Sequence, residues 1–255
     1  MRPRCLALLL CLLPASLHAG DADALVHSAL AAEAAFHTQE ALKLLLQADD
    51  LRPNDPFILQ KIARQYSDET LDTADPAAQK RLCQQALDYA RRASKLAPDN
   101  AVCTLSLAIC YGKLGLHSEL DTRIKYARLV KHYAELAIKQ DPKYAWAYHV
   151  LGRWHLEVAK LGATKRFLVG LVYGALPEAS TAKAVALLQH AVALDPQNPD
   201  HHIDLGFACL ANDQPQQAQA AFTAGLALPS TQKQDAAIKH RARAALAEIT
   251  PSHQG

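Results

Sequence analysis

Histidines, carboxylates and cysteines are the residues of this chain with chemistry to offer, and their spacing restricts what that chemistry is. His149 and His155 stand six positions apart, which on a helix turns them to opposite sides, so they cannot grip one metal ion. His201 and His202, with Asp200 and Asp204 beside them, form a short metal-like cluster, but no third spaced ligand accompanies it. Glu157 lies about one turn from Arg153 and Lys160, the spacing of a surface ion pair. No G-x-S-x-G elbow, phosphate loop or dinucleotide fingerprint occurs. These residues make no complete catalytic set, and neither a metal nor a cofactor is expected. A hydrolytic or metal-dependent enzyme using the fourth and fifth of the helix pairs set out below is the alternative that stays open.

Cysteine chemistry depends on the compartment. Arg2 and Arg4 make a basic tip, Cys5 to Leu13 is an apolar run, Pro14 breaks it, and Ser16-Leu17-His18-Ala19 ends on a small residue. This pattern predicts a signal peptide over residues 1–19, cleaved after Ala19. The apolar run is shorter than the ~20 residues that a membrane-spanning helix needs, and Leu10 before Cys11 does not fit a lipoprotein signal. The expectation is an exported protein, periplasmic or secreted, with no transmembrane segment in the mature chain. Export permits disulfides. Cys103 and Cys110, seven apart on one predicted helix, lie ~10 Å apart along its axis and cannot pair with each other. Cys83 on the preceding helix is within reach of one of them, or Cys83, Cys103, Cys110 and Cys209 are small buried apolar residues. The chain carries 27 Lys and Arg against 25 Asp and Glu, and loss of Arg2 and Arg4 with the leader equalises them. A neutral balance argues against a nucleic-acid partner.

The elements that must hold these residues are helices. Half of the 255 residues are apolar, only 10 are glycine, and long β-branched runs are missing. Four blocks share one phrase, an alanine five residues before a proline that closes a helix: Ala48 with Pro53, Ala93 with Pro98, Ala137 with Pro142, Ala191 with Pro196. After each proline come a large aliphatic residue, a small one and, three further on, a tyrosine or substitute: Ile62-Ala63-Tyr66, Leu107-Ala108-Tyr111, Leu151-Gly152-His155, Leu205-Gly206-Cys209. The small residue lets a partner helix come close while its neighbours fill the seam.

This phrase resembles the tetratricopeptide repeat, and the resemblance implies an all-α solenoid of antiparallel helix pairs. The closing prolines stand 45, 44 and 54 residues apart, longer than the standard unit of about 34. Five pairs are expected: Asp21–Phe36 with Thr38–Ala48, Pro56–Tyr66 with Ala77–Leu96, Ala101–Leu114 with His117–Ile138, Ala145–Leu161 with Ser180–Leu194, and His201–Leu210 with Pro215–Leu226. Ser67–Pro76 has loop composition, and a long insertion over about 162–179 separates the two helices of the fourth pair. A final helix, Lys233–Ile249, would cap the solenoid with a polar outer face. The chain thus divides into residues 1–19 and one repeat domain over 20–255.

The stretch HVLGRWHLEVAKLG, the step Lys165-Arg166-Phe167 and the run YGALPEAS are similar to the central region of the regulator of microtubule dynamics family. The matching positions are His149, Leu151, Gly152, Trp154, Arg166, Tyr173, Gly174, Pro177 and Ser180. The resemblance implies a tetratricopeptide-like helical protein with this insertion; animal members are tied to microtubules and mitochondrial contacts, work that an exported chain would not do. Pro177 and Ser180 read as the entry to and cap of the helix that follows.

In such solenoids the first helix of each pair lines the concave face. That register puts Trp146, His149, Arg153 and Glu157 in one stripe, beside Val102, Leu105 and Ile109 on the third pair and Ile203 and Phe207 on the fifth. Such a stripe suits a peptide groove with one anionic contact, although Trp146 and His149 equally suit packing against the insertion. The insertion itself reads as a plug over the solenoid edge or as a docking loop. The leading expectation is a non-catalytic scaffold of the cell envelope that binds a protein or peptide on its concave face. A purely structural part of an envelope assembly is a third possibility.

Overall fold

The computed structural model describes residues 15–162, 169–170, 172, 174 and 177–249, with side chains from residue 20 onward. Among them are eleven helices and no strand. They are α1 (Ala15–Ala34), α2 (Thr38–Leu51), α3 (Pro56–Glu69), α4 (Pro76–Leu96), α5 (Ala101–Leu116), α6 (Leu120–Gln140), α7 (Ala145–Lys160), α8 (Thr181–Leu194), α9 (Pro199–Ala211), α10 (Pro215–Ala227) and α11 (Asp235–Ile249). The residues predicted as the leader, apart from the last few, lie outside this description.

Local chemistry explains the boundaries. Asp55, Asp75 and Asn100 each turn a side-chain oxygen back onto two amides of the first turn that follows, and Ser180 Oγ accepts from the Lys183 amide at 3.1 Å. Arg52, Ala97, Asp141 and Asp195 end α2, α4, α6 and α8 with ψ between 70° and 97°. Each precedes a closing proline, whose ring disfavours helical backbone at the residue before it. The expected loop Ser67–Pro76 begins late, because α3 continues to Glu69. The Ser67 carbonyl takes the Thr70 hydroxyl at 2.6 Å and the Lys113 ammonium at 2.5 Å, which stabilises the extra turn. Likewise α6 starts at Leu120, three residues later than expected, after a turn in which the His117 and Ser118 amides bond back to α5.

Helices pair as α1 with α2, α3 with α4, α5 with α6, α7 with α8 and α9 with α10, and each second helix also packs on the first helix of the next pair. The first helices α3, α5, α7 and α9 touch in succession and form the inner layer. The small residues lie where helices meet. A Cβ on Gly152 would stand 2.8 Å from Leu188, and one on Gly206 would stand 2.5 Å from the ring of the fully buried Phe222. Apolar clusters fill the seams between successive pairs, so the core runs the length of the stack.

The C-terminal helix departs from expectation. It begins at Asp235 instead of Lys233, because Asp235 Oδ2 accepts the amides of Thr231 and Gln232 at 2.6 and 3.0 Å and winds residues 231–234 into a strap. Ile238 and Ala242 pack into the α8–α10 core, as a capping helix should. The strap, however, reaches across the concave side. Lys233 Nζ donates to Thr38 Oγ1 at 2.7 Å and pairs with Asp72, and Arg64 donates to Gln232 Oε1 at 2.5 Å. The last element of the chain is thereby joined to the first two pairs.

Candidate functional site

The inner layer and the strap enclose a cavity of ≈650 Å³ lined from α3, α5, α6, α7 and residues 232–238. Four exposed apolar side chains, Leu71, Val102, Ile109 and Leu116, face into it. Trp146, His149, Arg153 and Glu157 line its α7 side. Leu105, Ile203 and Phe207 do not line it, and this corrects the predicted stripe. Leu105 and Ile203 are 0% exposed inside the core, since helices packed on three sides turn more than one face inward. Phe207 stacks edge-on against Phe222 and lies under the Arg241 guanidinium at 4.8 Å, covered by α11.

His149 is buried as well, and it organises a polar cluster that joins α7 to α9. Its Nδ1 lies 3.0 Å from His201 Nδ1, its Nε2 lies 3.2 Å from Asp204 Oδ2, and Arg153 Nε approaches that same oxygen at 3.4 Å. Trp146 packs edge-on against both imidazoles. Burial holds His149 and His201 neutral, the latter down to about 4, with His201 and Arg153 adding to the effect on His149. Among the described residues His201 Nε2 and Asp204 Oδ2 make no hydrogen bond, and His201 Nε2 lies 4.0 Å from Asp195 Oδ2. Burial pushes the Asp204 carboxyl up, against the pull of Arg153 and Arg241.

Next to this cluster Asp200 is pushed up to about 7, first by burial and then by Asp235. Its Oδ2 accepts from Gln234 Nε2 of the strap at 3.0 Å. Sequence proximity suggested a cluster of His201, His202, Asp200 and Asp204, but the helix separates them. His202 turns away to the Pro196 carbonyl at 2.9 Å, His201 meets His149, and Asp200 meets the strap. Among the described residues no three His, Cys, Asp or Glu side chains are placed to hold a metal ion. The imidazoles of His149 and His201, the Asp204 carboxyl and the Arg153 guanidinium face one another across α7 and α9, an arrangement that packs the two helices together.

The far wall was not legible as a site. Lys113 on α5 is half-buried with its ammonium on the Ser67 carbonyl, and desolvation lowers its pKa against the pull of Asp68. Burial in turn raises Asp68. Nothing in the repeat phrase singles out this pair, which exists only because α3 and α5 adjoin.

Of the family-matching positions, Trp154 is buried and donates from Nε1 to the Ala127 carbonyl on α6 at 2.6 Å. Gly152 provides the α7–α8 approach already described. Gly174 has φ of +77°, a backbone conformation that favours glycine, and its carbonyl accepts from Arg128 at 2.6 Å. Arg166 and Tyr173 lie outside the described residues, so whether the insertion plugs or docks falls there too. Pro177 and Ser180 lead into α8. Cys83, Cys103, Cys110 and Cys209 are free thiols, all buried.

The paired helices, the inner-layer cavity and the proline-closed turns define a tetratricopeptide-like helical solenoid. A thermophilic tetratricopeptide-repeat protein of Thermus thermophilus superposes with a TM-score of 0.68 at 18% identity, over 89% of this chain and 99% of that one. The pilF protein of Pseudomonas aeruginosa does so with a TM-score of 0.56 at 14% identity, over 91% and 90%. At the level of sequence, residues 25–250 match the model of the regulator of microtubule dynamics protein 1-3 family, and the chain belongs to that family. Regulator of microtubule dynamics protein 3 of Xenopus laevis is 31% identical over 62% of this chain and 34% of its own length. The protein 1 relative of Bos taurus is 27% identical over 62% of this chain and 50% of its own. The chain thus spans half or less of the length of these relatives.

Proposed function

We propose that the protein is a non-catalytic scaffold of the cell envelope that holds an extended protein segment in its concave cavity. The observation that carries this reading is the grouping of Leu71, Val102, Ile109 and Leu116 in one cavity on the inner layer. Exposed apolar side chains gathered in a concavity lose water when a partner covers them. Arg153, 43% exposed at its side chain, stands at the wall as a donor for a backbone carbonyl or an acidic side chain. The basic tip and apolar run of residues 1–13 support the exported location. Among the described residues no helix is long and apolar enough to cross a membrane. The relatives' name speaks of microtubules; an exported member would meet none, so the fold carries over and that task does not.

Affinity capture from the native envelope tests the reading. Ile109→Glu places a charge among the apolar residues without removing a core contact, and it is expected to lower recovery of the captured partner about ten-fold. Lys80→Glu, on the outer helix α4, should leave recovery unchanged. Equal recovery by wild type and Ile109→Glu would sink the groove. An enzyme using the fourth and fifth pairs is the rival; it requires His149 to reach a substrate, whereas His149 is directed at His201 and Asp204.

A further inference from the structure

A second cavity, ≈320 Å³, lies between the first pair, α3 and the strap, and includes Glu33, Gln65, Asp68 and Lys233 in its lining. Lys233 enters it as a ligand would. Its side chain is 17% exposed, its ammonium rests on the buried Thr38 hydroxyl at 2.7 Å, and Asp72 supplies the counter-charge. The side-chain carbonyl of the neighbouring Gln232 receives Arg64, and the Gln234 side-chain amide donates to Asp200. A lysine between two amides is thus recognised at three points by residues of α2, α3, the α3–α4 turn and α9. One point is left unmade. Gln65, 1% exposed, keeps its Nε2 without any partner at the cavity wall. A buried amide donor without an acceptor costs ~1–3 kcal/mol, so the strap fills this site incompletely.

We propose that the socket formed by Thr38, Asp72, Arg64 and Gln65 is a recognition site for a lysine flanked by amide side chains in an extended partner segment, and that residues 231–234 occupy it in cis until such a segment displaces them. This rests on the reading of the concave side as a binding groove and specifies what one end of it accepts. The partner segment differs from the strap in offering Gln65 an acceptor, a backbone carbonyl or carboxylate. Displacement is possible because the strap is held by side chains alone on its far side. Its backbone amides at 231 and 232 are spent on Asp235 of its own helix. A tethered segment competes at an effective concentration in the mM range, so wild-type protein resists a free peptide that an empty socket would accept.

The test uses a fluorescent synthetic peptide with the sequence of residues 229–236, a second peptide with alanine in place of its lysine, and the purified protein. Lys233→Ala, which leaves the socket intact and withdraws the lysine from Thr38 and Asp72, is expected to bind the first peptide about ten-fold more tightly than wild type. The lysine-free peptide should bind neither, and Asp72→Asn added to Lys233→Ala should abolish the gain. Hydrogen exchange at residues 228–234 should be faster in Lys233→Ala than in wild type, which reads strap release without any ligand. If Lys233→Ala melts early, Lys233→Met keeps the aliphatic stem and serves in its place. Equal binding to wild type and variant, or equal binding of the two peptides, overturns the socket. The groove reading fails separately: Ile109 lies outside this cavity, so capture indifferent to Ile109→Glu with socket binding as expected would leave the socket standing alone, and the reverse pair of results would remove only the socket.

Discussion

At the scale of residues, the carboxyl of Asp200 sits in an environment far from that of a free aspartate. It is pushed up to about 7 from 3.8 by burial and by Asp235. The native state therefore holds its proton more tightly than the unfolded chain, and this group's contribution to stability is lost as pH rises from about 4 to about 7. Asp200→Asn keeps an acceptor for Gln234 and removes the titration. In urea unfolding at several pH values the variant should gain on wild type across that interval by on the order of 2 kcal/mol, then stay level. A gap independent of pH would mean that Asp200 ionises normally. His201 runs the other way. Held neutral down to about 4, it weakens the fold as pH falls below 6.5, and the variant comparison separates the two because only Asp200 is changed. Sequence reading placed Asp200, His201 and Asp204 together, and they do sit together on α9. What it could not see is that His201 and Asp204 both turn to His149 while Asp200 turns to the strap, and that these partners, His149 and Gln234, stand 52 and 34 residues from His201 and Asp200.

At the scale of elements, the aliphatic-small pairs of the repeat did what their spacing implied, because a side chain every third or fourth residue meets the neighbouring helix whatever the rest of the fold does. The glycines of α9 and α5 make opposite predictions. Gly206→Ala drives a methyl into Phe222 and should cost about 1–3 kcal/mol, with a lower melting temperature and unchanged helical circular dichroism. Gly112→Ala meets only Val130 at 3.7 Å on an exposed helical position, and there alanine should stabilise by about 0.5–1 kcal/mol through backbone entropy. If both substitutions moved the melt the same way, the close approach at Gly206 would not be what selects glycine. The same period explains the misplaced groove residues. Leu105 and Ile203 satisfy the inner-face register, but an inner helix also packs on its pair partner and on the next pair, so a stripe inferred from one helix overstates what stays open.

At the scale of the whole molecule, stacking and the strap join the first and last helix pairs, and among the described residues the cysteines are free thiols. Cys83 and Cys110 share a core cluster as thiols, and burial pushes Cys110 up to about 12, so the reactive thiolate is scarce. The melting temperature should be the same with and without a thiol reductant. The four buried thiols should resist a disulfide reagent until the protein unfolds, and a lower melting temperature under reduction would reveal a bridge. The strap contacts lie 195 and 161 residues apart in sequence, and they turn what would be an open solenoid into one whose concave side is crossed by its own C-terminal segment.

The residues alone determined the helical class, the pairing order, the helix ends at Pro53, Pro98, Pro142 and Pro196, and the family to which the chain belongs, because capping, proline sterics and helical periodicity act within a few residues of one another. Only the tertiary structure decided that His149 faces His201, that Lys113 packs against α3, and that Lys233 crosses to Thr38 and Asp72. Those contacts join residues 46 to 195 positions apart, brought together by the stacking of pairs, which no local spacing encodes.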